Sequence, residues 1–93
     1  MTTVVWSPGA LANVRAIKAY VTQENPRAAQ ALARRLIDAG EGLVLFPNRR
    51  RPVPGSVYRE LLTVDPYIIR YRVKGEQVSI LRIRHAARRP TKP

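Results

Sequence analysis

The sequence predicts an α+β domain in the order β-α-α-β-β-β, an N-terminal strand followed by an antiparallel helical hairpin packed on one face of an antiparallel β-sheet. Two segments that start on a capping residue and a proline, with apolar residues every three or four positions, predict the helices. Three runs rich in β-branched and aromatic residues, separated by turns of two to four residues, predict the meander. A chain of 93 residues buries roughly 60 to 65% of its unfolded surface, enough for one core and not for two. A single domain over residues 1–90 is therefore expected, with 91–93 as a disordered tail.

The opening strand is "TTVVWS", residues 2–7. Ser7 then caps a helix that begins at Pro8, whose fixed φ suits a first helical turn. Ala10, Leu11, Val14, Ile17 and Val21 form its apolar stripe, and it stops near "QENP" because a residue before proline is pushed out of the α region. Asn25 and Pro26 repeat the start for a second helix striped by Ala29, Leu32, Ala33, Leu36 and Leu43. Gly40 and Gly42 weaken its last turns, so it ends between Asp38 and Leu45, with "LVLFP" leaving as an extended arm. "PNRRRPVPGS" reads as an irregular basic loop. The strands are "VYRELLTV", "YIIRYRV" and "VSILRIRH". In the last hairpin a three-residue loop of Lys74, Gly75 and Glu76 is favoured. It places Tyr67, Ile69, Tyr71, Leu81 and Ile83 on one face, and Ile68, Arg70, Arg72, Val78, Ile80, Arg82 and Arg84 on the other. The alternative two-residue loop would set Ile80 beside Ile69. The expected core is Val5, Leu11, Val14, Ile17, Leu32, Leu36, Ile69, Tyr71, Leu81 and Ile83.

Charge is concentrated. Seventeen Lys and Arg stand against six Asp and Glu, a formal +11. Residues 1–48 carry five basic and three acidic groups, whereas residues 49–93 carry twelve and three. A field of that sign gathers nucleic acid, acidic protein segments and anionic surfaces. The chain has no cysteine, which excludes a disulfide framework or a cysteine-based zinc site and suits a reducing cytoplasm. It has neither a basic leader running into an apolar stretch nor about 18 consecutive apolar residues, so no signal peptide, membrane span or membrane partner is expected.

Side chains for covalent chemistry are scarce. The carboxylates Glu24, Asp38, Glu41, Glu60, Asp65 and Glu76 form no acid pair in the basic half, and Ser7, Ser56 and Ser79 lack a nucleophile elbow. No metal or cofactor is expected. His85, the only histidine, stands either as an acid or base or as a strand-end residue bonded to backbone. Arg59 and Glu60, adjacent on a strand, point to opposite faces. Arg70, Arg72, Arg82 and Arg84 are held by strand backbone, and planar guanidiniums in such number predict an anionic partner.

The element order, with "VVWSPGALANV", "YRELLTVDPYIIRYRV" and "VSILRIRHAARRP", resembles the RelE/ParE superfamily of bacterial type II toxins across nearly the whole chain. The more specific pieces are Arg59-Glu60-Leu61, Tyr71-Arg72-Val73 and "ILRIRHAAR". The ParE branch is the nearer. Its resemblance implies a cytoplasmic, growth-arresting toxin that inhibits DNA gyrase by binding, and that forms a hetero-oligomer with an antitoxin encoded beside it. Target or antitoxin binding then falls to Arg59, Arg70, Arg72, Arg82, Arg84, His85 and Arg88. The RelE branch, which cuts mRNA on the ribosome, would use Glu60 and His85 for proton transfer and Arg82 or Arg84 for phosphate. The chain departs from that pattern at Ile68, where a catalytic arginine is expected, and in a tail without an aromatic hydroxyl after His85. A plain nucleic-acid-binding module is a third reading, disfavoured while Tyr67 and Tyr71 are assigned to the core.

Overall fold

In the computed structural model, described over residues 2–45, 51–62, 64 and 66–87, a strand β1 (Thr3–Trp6) leads into helices α1 (Pro8–Thr22) and α2 (Pro26–Glu41). Strands β2 (Arg51–Pro52), β3 (Tyr58–Leu61), β4 (Tyr67–Lys74) and β5 (Gln77–His85) follow. The α+β class and the β-α-α-β-β-β order stand, with one short strand added. The five strands lie in the order β1-β5-β4-β3-β2. β1 takes an edge and runs parallel to β5, which makes the sheet mixed. The helical hairpin supplies the long connection that parallel neighbours require.

Both helix starts form as the sequence predicts. The Ser7 hydroxyl accepts from the Ala10 amide at 3.0 Å and the Asn25 side-chain oxygen accepts from the Ala28 amide at 3.0 Å, each ahead of a proline. Ser7 also donates to the Leu81 carbonyl at 3.0 Å, which ties the start of α1 to β5. β1 pairs with β5 only as far as Ile80. Beyond that point α1 takes over the edge, with the Asn13 side chain accepting from the Ile83 amide at 2.9 Å. A polar residue on a half-buried helix thus satisfies a strand donor that would otherwise cost about 1 to 3 kcal/mol.

The core lies between the hairpin and one sheet face, and is built from Ala10, Val14, Leu36, Leu43, Leu61, Ile69, Tyr71, Val78, Ile80 and Ile83. Burying each large aliphatic side chain contributes about 1.5 to 3 kcal/mol. Val5 does not belong to this core: it is 46% exposed, while Val4 and Trp6 face inward against Val78 and Ile80. Two adjacent valines offer either face, and the bulk of Trp6 selects the other one. Leu11 and Leu81 are half-buried.

The last hairpin departs from the favoured register. Lys74 pairs with Gln77, so the loop is the two-residue Gly75-Glu76, with Gly75 at φ +60 and no positive φ at any described non-glycine residue. This is the II′ pattern, in which glycine takes the first central position and the turn's twist matches that of the strands. It sets Val78 opposite Val73 and Ile80 opposite Tyr71, on the core face. A bulge then skips Leu81, so that Ile83 pairs with Ile69 and remains inside. Neither loop alone keeps both halves of β5 correctly facing; a short loop plus a bulge does.

Two further expectations change. Gly42–Val44 forms a turn of 3₁₀ helix with Leu43 buried, so the segment after α2 does not leave as an extended arm as far as Leu45, and Phe46 and Pro47 lie outside the described residues. Within the expected irregular loop, Arg51 and Pro52 pair with Glu60 and Arg59 as an edge strand, a place where proline's missing donor is tolerated. Arg49, Arg50 and the tail from 88 onward also lie outside the described residues.

Candidate functional site

Both helices pack on the face that carries Tyr71, Ile80 and Ile83, which leaves the opposite face for a site. Cross-strand register determines what stands there. Tyr58 pairs with Arg72, Glu60 with Arg70, Arg70 with Arg82, and Ile68 with Arg84. Arg70, Arg72, Arg82 and Arg84 therefore share one face, as the sequence predicts, although Val78 and Ile80 do not join them.

Glu60 organises this face. It is buried at 7% exposure, and its Oε2 accepts from Arg70 Nη2 at 3.1 Å and lies 3.6 Å from Arg84 Nη2. The Arg70 guanidinium also sits over the Tyr58 ring, 5.6 Å from its centroid, a cation–π geometry. Arg70 Nε is buried with no hydrogen-bond partner. One carboxylate thus pins two arginines and neutralises one of them. Arg72 and Arg82 are exposed. Like charges placed directly across a ladder, as Arg70 and Arg82 are, destabilise a sheet unless an anion screens them.

Two other residues fall elsewhere. Arg59 lies across from Tyr71, on the face opposite the arginine group. His85 lies across from Tyr67, also on the Tyr71 side, and packs edge-on against the Tyr67 ring with centroids 5.4 Å apart. Its Nδ1 accepts from the Ala87 amide at 3.1 Å, so its described hydrogen bond is to backbone. Arg88 lies outside the described residues. Glu60 and His85, the pair that proton transfer would combine, stand on opposite faces of the sheet.

Sequence reasoning left Tyr58 and Glu60 out of the group that shares this face with the arginines. Their alternation was visible, since Tyr58 and Glu60 are two apart on one strand, but which face they share with the arginines depends on pairing across the turn to β4. Among the described residues no group of three or more His, Cys, Asp or Glu could hold a metal ion, and no helix is long and apolar enough to cross a membrane.

Relatives agree with this architecture. The chain is 48% identical over 88 residues to Toxin RelE2 of Caulobacter vibrioides, covering 95% of this chain and 99% of that protein. It is 37% identical to Putative toxin Y4kP of Sinorhizobium fredii, covering 87% and 84%. A chain of the chromosomal ParDE toxin-antitoxin system from P. aeruginosa superimposes with a TM-score of 0.82 at 27% identity, over 91% of this chain and 96% of that one. Residues 4–90 match the family described as ParE toxin of the type II toxin-antitoxin system parDE, and the chain belongs to that family of toxins.

Proposed function

We propose that this toxin inhibits DNA gyrase by binding, and that a cognate antitoxin neutralises it through an interface that includes the arginine face. The observation that carries the reading is the separation of Glu60 from His85 across the sheet. A nuclease needs proton-transfer groups within reach of one phosphate. Here the carboxylate is buried under two guanidiniums and the imidazole is turned toward Tyr67. Ile68, on the arginine face across from Arg84 and 7% exposed, offers no charge to a pentavalent phosphate. A binding inhibitor needs none of these groups in catalytic register; it needs a stiff, charged surface, and the sheet provides one.

The test is a supercoiling assay with purified toxin and gyrase. His85→Ala is expected to keep most of the inhibition, while Ala at Arg82, Arg84 and Arg88 together weakens it. Removing one charged hydrogen bond costs about 1 to 3 kcal/mol. A nuclease deprived of a proton-transfer group instead falls roughly 10² to 10⁴-fold in rate. Ribosome-dependent mRNA cleavage that disappears with Glu60→Ala or His85→Ala, beside unaffected gyrase, would install the RelE-like activity in its place.

A further inference from the structure

We infer that the arginine face is a surface for the phosphodiester backbone of duplex DNA, which rests on the gyrase reading and deepens it: the toxin would hold the DNA on which gyrase acts as well as the enzyme. Four arginines occupy neighbouring positions on β4 and β5, each of which is hydrogen-bonded to a strand on both sides. Residues two apart on a strand are about 6.6 Å apart, so Arg70 with Arg72 and Arg82 with Arg84 form two short rows of positive charge side by side. Glu60 holds Arg70 and Arg84, and among the described residues no acidic partner faces the exposed Arg72 and Arg82.

An acidic segment of the antitoxin would mask this face in the neutralised complex, whereas for the free toxin the composition of the patch favours nucleic acid. The centre of a protein–protein interface is depleted in charge and carries apolar anchors. The centre of this patch is guanidinium. Its aromatic residue, Tyr58, is already engaged with Arg70, its apolar Ile68 is buried at 7% exposure, and the exposed Val5 lies out on edge strand β1. Affinity from such a surface is mostly electrostatic, as in sequence-independent DNA binding through released counterions.

The experiment measures fluorescence anisotropy of a labelled 20-base-pair duplex against purified full-length toxin over a salt series. Binding is expected at low salt, with log affinity falling against log salt by about 0.9 per phosphate engaged. Arg72→Ala with Arg82→Ala is expected to make that slope shallower by about 2. Arg27→Ala with Arg35→Ala, the same change in charge on exposed positions of α2, is expected to leave it unchanged. Equal effects from the two double variants would overturn the inference, because net charge and not the face would then be responsible. Tighter binding of single-stranded RNA than of the duplex, or of an acidic peptide whose binding is lost in Arg72→Ala with Arg82→Ala while duplex binding is kept, would also overturn it. No duplex binding beside intact gyrase inhibition would remove this inference and leave the proposed function standing; duplex binding without inhibition would do the reverse.

Discussion

Glu60 is the one buried charged residue among those described, and its cost is offset only while Arg70 and Arg84 face it. Glu60→Gln keeps the shape and removes the charge, leaving two partly buried guanidiniums with a neutral partner. Removing one partner of a fully buried ion pair costs about 3 to 5 kcal/mol. Arg70 and Arg84 side chains retain 28% and 22% exposure, so solvent screens part of the loss and about 2 to 3 kcal/mol is expected. Urea denaturation measures it, and a loss below about 0.5 kcal/mol would class the pair with exposed salt bridges. At this scale the sequence was legible where chemistry is local: Ser7 and Asn25 cap because an oxygen three residues before an amide reaches it. It was not legible where a residue's partner is distant in the chain, as with Asn13 and Ile83 or with Glu60 and Arg84.

Elements dock through one tight approach. α2 brings Gly40 so close to β1 and β5 that a Cβ built there would lie 2.5 Å from Trp6 Cζ2 and 2.7 Å from Ile80 Cδ1. Trp6 also donates from Nε1 to Glu41 Oε2 at 2.6 Å, fixing the indole beneath the helix end. Glycine inside a helix costs about 1 kcal/mol relative to alanine, so helix propensity alone argues for Gly40→Ala as a stabilising change. Overpacking of about 1 to 3 kcal/mol opposes it, and Trp6 and Ile80 are both held in the sheet, so Gly40→Ala is expected to destabilise. Gly42→Ala, with no atom within 4 Å of the added carbon and an ordinary φ of −65, is expected to be neutral or mildly stabilising. Thermal unfolding of the two variants followed by the emission of Trp6, the only tryptophan, compares them directly. From sequence the two glycines were alike, both simply weakening a helix end. The bulge at Leu81 was equally hidden, since two-residue and three-residue loops each bury half of the final strand correctly.

Across the whole molecule, the arginines of the sheet's outer face and the exposed apolar side chains of the hairpin and the turn after it offer a partner two kinds of contact. Together they predict how the antitoxin complex responds to salt. The sheet's outer face carries the arginines, while the helical hairpin and the turn after it expose Tyr20 at 60%, Val44 at 38% and Leu45 at 71%. A partner that neutralises a chain of net +11 is expected to use acidic groups against the first surface and apolar groups against the second. Attraction between partly exposed charges is screened as the Debye length shrinks from about 10 Å at 0.1 M to about 3 Å at 1 M salt. Apolar burial is not weakened in this way, and salts that are excluded from protein surfaces strengthen it. The dissociation constant of the toxin–antitoxin pair is therefore expected to rise with sodium chloride and then level off, the plateau marking the apolar share. Arg72→Ala with Arg82→Ala should flatten the rise and leave the plateau in place. Calorimetry between about 0.05 and about 1 M salt resolves the two parts, and a dissociation constant independent of salt would assign the arginine face to the target alone.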